Sequence, residues 1–256
     1  RIMASPGQFM YAENYVYAPA VSKVAEIIRA RRSRILFIRG EESLKGSSSP
    51  VAGQWSRTGG GTFMRTGTHP LTAVLWLKQQ EAQARGIEIR PVRVMADMGR
   101  VTATLSAHEH RHIAAKPEDV EDNGTVIIEF SDQSKAVVLA TDTCLGGSRN
   151  YLDVYCNDAN FSCLLTMNNS LATYLPDEDG MEDVYLSEML PSKRGWNLPF
   201  ISDEMTRGYI DEMQDFMECV VTGRTPRADL RLAVDTVLLT YAAYASAESG
   251  VRLELD

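Results

Sequence analysis

Apolar positions recur along this chain with two periods, and the change from one to the other organises it. Behind Pro19, Val21, Val24, Ala25 and Ile28 repeat every three or four residues, the spacing of a helix that buries one face. Proline suits the first helical position because its missing N–H has no partner to lose there. Arg29, Arg31, Arg32 and Arg34 crowd the other end, where cations complement the helix dipole. Gln8 to Tyr17, ahead of that helix, is aromatic-rich and reads as a strand or extended crossover. Ile35 to Ile38 reads as a short buried strand. Glu41 to Ala52, with Gly46-Ser47-Ser48-Ser49-Pro50, reads as a mobile loop. Leu71, Val74, Leu75 and the tail to Ala82 predict a second helix, opened by Pro70 and stopped at Gly86.

From Val92 the pattern turns to β. Val92–Ala96, Val101–Ala107, Thr125–Phe130, Lys135–Thr141, Tyr151–Cys156, Phe161–Thr166, Leu171–Leu175 and Asp183–Ser187 are short, β-branched or aromatic runs separated by turn residues. Asp132-Gln133-Ser134 fits a hairpin. So many strands without intervening helices predict an α+β fold: a large, open, mainly antiparallel sheet with helices on one face. Lys193 to Pro199 reads as a compact loop. Ser202 then caps a helix whose Met205, Tyr209, Met213, Phe216, Met217 and Val220 form a core face, ended by Gly223. Asp229 to Ser249 is apolar nearly all round and is expected to be buried. Val251 to Leu255 reads as a last strand.

The chemistry concentrates between Gly59 and Lys78. Gly59-Gly60-Gly61 allows close approach of a neighbour or a ligand. If Pro70 opens the helix, His69 is its N-cap, and the positive end of the dipole favours a neutral imidazole able to accept a proton. Arg65 precedes it by four residues; an always-charged guanidinium cannot be a base, but it can anchor a carboxylate or phosphate, or form a structural salt bridge. His108, His110 and His112 alternate, and a surface turn is preferred over a metal site.

With 256 residues the chain needs no staples, and its four cysteines form no Cys-x-x-Cys pair, as in a reduced, cytoplasmic protein. A formal net charge of −8 argues against nucleic acid or an anionic membrane as partner. No apolar run approaches a membrane span.

The Gly-Gly-Gly run, the His69 motif and the apolar helix behind it, with Glu13-Asn14-Tyr15-Val16-Tyr17-Ala18-Pro19 before and Tyr244-Ala245-Ser246-Ala247-Glu248-Ser249-Gly250 after, resemble the substrate domain of the Gfo/Idh/MocA oxidoreductases. That family includes glucose–fructose oxidoreductase and inositol dehydrogenase. The resemblance implies hydride transfer between NAD or NADP and a hydroxyl or keto group of a sugar, inositol or related polyol. It implies His69 as the catalytic base or proton relay. Arg65, Glu13, Asn14, Tyr17 and Trp55 are then candidates to contact the substrate. It further implies that residues 1–18 form the crossover from a nucleotide-binding domain and residues 19–256 the substrate and oligomerisation domain. The chain begins with Arg1 and has no Gly-x-Gly-x-x-Gly, so the cofactor is expected to bind outside it. A second copy on the open sheet face, giving a homodimer or tetramer, is also expected. One departure stands out: the family's aspartate four residues before the histidine is Arg65 here. A non-catalytic ligand-binding or assembly scaffold is the alternative reading.

Overall fold

The fold follows from one sheet that is apolar on one side and half-apolar on the other. A computed structural model describes residues 7–166, 173–175, 177–179, 181, 184, 186, 190, 192–197 and 203–255. Helix α1 (Pro19–Arg31) buries Val21, Val24, Ala25 and Ile28, as the periodicity predicts. It closes on Arg32 in the left-handed region (φ 56°), with the Ser33 N–H bonded back to the Ile28 carbonyl. Strand β1 (Ile35–Ser43) follows, then a one-turn helix α2 (Trp55–Thr58), a π-helical turn Phe63–Gly67 and helix α3 (Thr68–Arg85). The β half contributes β2 (Pro91–Gly99), β3 (Asn123–Phe130), β4 (Lys135–Thr141), β5 (Arg149–Cys156) and β6 (Asn160–Leu164). A separate two-stranded ribbon pairs β7 (Thr173–Leu175) with β8 (Gly195–Asn197). Helices α4 (Asp203–Thr206), α5 (Tyr209–Thr222) and α6 (Leu230–Ser249) and strand β9 (Leu253–Glu254) complete the chain.

Seven strands form one open sheet in the order β6-β5-β1-β4-β3-β2-β9. Every pairing is antiparallel except β1 with β4. Inward residues Val126, Ile128, Phe130, Ala136, Val138, Leu152 and Val154 meet Leu71, Val74 and Leu77 of α3 and Leu232, Leu239 and Ala243 of α6 in one core. Each such valine, leucine, isoleucine or phenylalanine contributes about 1.5–3 kcal/mol by leaving water. The opposite face exposes Leu36, Met95, Ile127 and Leu164. Asp132-Gln133-Ser134 makes the expected β3–β4 hairpin, with Gln133 left-handed (φ 70°). Among the described residues no helix is long and apolar enough to cross a membrane.

Several expectations are corrected. Gln8–Tyr17 is not a strand: Asn14–Val16 is a 3-10 turn. β1 runs on through Glu41, Glu42 and Ser43, read as loop, because β4 and β5 pair with both edges of that stretch. Val101–Ala107 is a series of turns, since the Asp122 carboxylate accepts from the N–H groups of Val101 and Thr102 at 2.7 and 3.0 Å and draws them out of extended geometry. The helix expected from Ser202 to Val220 breaks at Gly208, whose φ of 86° places it tightly against the backbone of Tyr17 and Ala18. Its methionines are not core: Met205, Met213 and Met217 lie exposed while Glu212, Asp215 and Cys219 face inward. Helix α6 is likewise buried on one face only, with Val234, Val237, Leu238 and Tyr241 exposed. His108, His110 and His112 sit in and beside a surface 3-10 turn, as expected. The Ser202 cap, Pro199 and most of Asp183–Ser187 lie outside the described residues.

Candidate functional site

The glycine run has a structural occupant. A Cβ on Gly61 would sit 1.8 Å from the Glu121 carbonyl oxygen, so only glycine fits. The Glu121 carboxylate accepts from the N–H groups of Gly61 and Phe63 at 2.9 and 2.8 Å and from the Tyr244 hydroxyl at 2.8 Å. It thereby caps a helical run that begins near Thr62 and passes through the π turn into α3. His69 is therefore not an N-cap; it lies about two turns inside the run, away from the positive end of the dipole.

Its charge state follows from other neighbours. Both oxygens of the Glu13 carboxylate lie against His69 Nδ1, at 2.8 and 3.0 Å. Glu13 is itself almost wholly buried and accepts from the Tyr15 N–H at the mouth of the 3-10 turn. The Tyr15 ring stacks on the imidazole with centroids 5.3 Å apart. Burial pulls the imidazole pKa down, but Glu13 and then Glu42 push it up to about 9. The expected neutral imidazole is thus an imidazolium at neutral pH. Its side chain keeps 30% exposure, and of its two ring nitrogens Nδ1 is the one held by Glu13.

Arg65 is one turn earlier and faces another acid. Its guanidinium donates to Asp142 Oδ2 at 2.5 Å, and Thr62 Oγ1 donates to Asp142 Oδ1 at 2.9 Å. Burial raises the Asp142 carboxyl pKa, and Arg65 counters that rise. The other substrate candidates divide. Asn14 donates to the Arg207 carbonyl at 3.0 Å, and the buried Tyr17 hydroxyl donates to Asp215 at 2.8 Å and accepts from the Ala228 N–H. Asn14 thereby binds the 3-10 turn to the α4–α5 joint, and Tyr17 binds it to α5 and to the loop before α6. Trp55 stands edge-on to Tyr244 at 5.0 Å and bonds Asp119 through its backbone, beside the capped start of the helical run. Glu13 alone of them bonds His69.

The fold adds residues that the sequence did not single out. Glu42 comes from β1, Asn150 is its register partner on β5, Arg207 comes from the α4–α5 joint and Glu212 from the first turn of α5. Tyr15 and Arg207 both reach Asn150 Oδ1, at 2.8 and 3.1 Å, with that amide oriented to accept. Glu42 was hidden in a polar stretch read as loop, and Glu212 on a helix whose apolar stripe pointed the wrong way. No sequence-local signal marks either.

Residues 28–162 match the family model described as the GFO/IDH/MocA C-terminal domain. A search of curated proteins finds no match. Among solved structures, GenD2 from gentamicin A biosynthesis, in complex with NAD, is similar over 95% of this chain and 62% of its own, at 23% identity and TM-score 0.76. Levoglucosan dehydrogenase in complex with NADH and L-sorbose is similar over 100% and 68%, at 17% identity and TM-score 0.67. A myo-inositol dehydrogenase from Corynebacterium glutamicum is similar over 95% and 63%, at 12% identity and TM-score 0.63. The chain thus spans less than two thirds of the length of the first and last of these structures. These identities establish a shared fold.

Proposed function

Because the chain belongs to the GFO/IDH/MocA family through its C-terminal domain, we propose that it is the substrate domain of a nicotinamide-dependent oxidoreductase acting on a sugar, inositol or related polyol. The observation that carries the reading is the Glu13–His69 pair: a charged, partly buried imidazole held on one nitrogen by a buried carboxylate. Such a ring donates a proton from Nε2 to a substrate carbonyl oxygen in the reducing direction. Having lost that proton, it accepts one from a hydroxyl in the oxidising direction. Glu13 fixes the tautomer and stabilises the imidazolium.

The nicotinamide would supply hydride transfer. The sequence has no Gly-x-Gly-x-x-Gly, and on this reading the cofactor is held outside this chain. The reading extends to a homodimer or tetramer through the open sheet face, supported by the exposed Leu36, Met95, Ile127 and Leu164. A second reading, a non-catalytic ligand-binding or assembly scaffold, is favoured by one observation: Arg65, at the family's aspartate position, is closed by Asp142.

Reduced-nicotinamide absorbance on the full-length protein with a panel of polyols separates the two. The enzyme reading expects turnover that falls about 10²- to 10⁴-fold in His69→Ala. Absence of turnover across the panel, with polyol binding retained, selects the scaffold.

A further inference from the structure

Around His69 the fold gathers more negative charge than it answers. Glu13 meets Nδ1, while Glu42 and Glu212 are 5% and 7% exposed. The facing cations are the imidazolium and Arg207, whose guanidinium reaches Ser148 at 3.3 Å and Asn150 at 3.1 Å. Tyr15 and Tyr11 are the neighbouring hydroxyls; Tyr11 lies 3.4 Å from Thr72 Oγ1. Among the described residues, three carboxyl groups therefore face two cations. Moreover, Glu42 Oε2 and Glu212 Oε1 are buried without a hydrogen-bond partner. Burying an acceptor and leaving it empty is costly, and two such atoms beside one partly buried imidazole mark a place for a donor.

We propose that this cluster recognises a protonated amine on the substrate, so that the polyol taken by the site is an amino sugar or an aminocyclitol. The inference rests on the oxidoreductase reading only for where the substrate lies. An ammonium carries three donors and one positive charge, so one group can donate to both empty carboxylate oxygens and bring a cation with it; a hydroxyl has one donor and no charge. Burial and Glu13 push the Glu212 carboxyl up to about 7, against the lowering effect of His69. In the absence of ligand a proton therefore tends to fill the role that the ammonium fills on binding. Calcium or magnesium fits poorly, since each needs six or more oxygens; the imidazolium repels any divalent cation, and no cluster of metal-ligating residues occurs among the described residues. Arg65 is paired with Asp142 through one guanidinium nitrogen.

The test is calorimetric affinity on the full-length protein at pH 7, comparing glucosamine with glucose and with N-acetylglucosamine, and an aminocyclitol with its parent inositol. Each amine is expected to bind about tenfold or more tightly than its hydroxyl or acetylated counterpart. In Glu212→Gln, and separately in Glu42→Gln, that ratio should fall toward one. Equal affinities, no amine binding at millimolar concentration, or a preference untouched by both variants overturns the inference. A lysine from another segment filling the cluster gives the first of these results. Oxidation of neutral polyols without amine preference removes this inference and keeps the reaction; amine preference without turnover does the reverse.

Discussion

Two ion pairs lie one turn apart on the helical run through α3, and they are built for different ends. Arg65 with Asp142 joins a permanently charged group to a carboxylate that is also bonded by Thr62. Burial pushes the Asp142 carboxyl up and Arg65 counters that rise, and the pair's geometry ties the start of the run to the end of β4. His69 with Glu13 joins a group that does titrate to a carboxylate supplied by the chain's entry turn, through one of its two ring nitrogens. The first pair holds structure. The second holds a proton at a stated atom. The lesson is that similar spacing on one helix does not make residues members of one site; the acid each one meets decides its role.

The comparison breaks most visibly at Asp142. Asp142→Ala leaves the partly buried Arg65 charge without its partner, which costs about 3 to 5 kcal/mol. Urea denaturation should show that loss, with the His69 titration unchanged. A shifted His69 titration would mean the two pairs act as one network.

A smaller effect belongs to Glu13. Glu13→Gln should return the His69 pKa from about 9 toward the ordinary 6.5, read by NMR of the imidazole. Because the folded-state pKa is raised above the unfolded one, the pair stabilises fully below about pH 6.5, and that contribution is lost as pH rises through about 9. The variant should accordingly be less stable than the parent by roughly 2 kcal/mol at pH 6 and nearly equal to it at pH 10. A constant difference across that range would refute the assignment.

Much of the fold was legible because its signals are local. Pro19 and the stripe behind it place α1, and Asp132-Gln133-Ser134 places the β3–β4 hairpin. What failed was decided at a distance. His69 was read as a cap because the true cap, Glu121, arrives 60 residues after Gly61. Glu42 was read as loop because its polarity outweighed the strands that flank it only after folding. The site's acids therefore came from places that local pattern assigns to surface, which is why His69 and Glu13 were singled out and Glu42 and Glu212 were not.

Helices α1 and α5 carry that lesson into the smallest expected effect. Both show apolar residues at helical spacing, yet α1 turns its stripe inward and α5 turns Glu212 and Asp215 inward instead. The reason is the joint at Gly208 and Arg207: Asn14 bonds the Arg207 carbonyl and Tyr17 bonds Asp215, fixing the rotation of α5 by its polar face. Met213 and Met217, at 57% and 59% exposure, then contribute little to folding. Met213→Gln with Met217→Gln should change the stability of this chain by no more than about 0.5 kcal/mol, whereas Val24→Ala on α1, at 5% exposure, should cost clearly more. A large loss from the methionine pair, measured by the same denaturation at a concentration where the protein is monomeric, would show that the stripe is packed after all and that α5 is turned the other way.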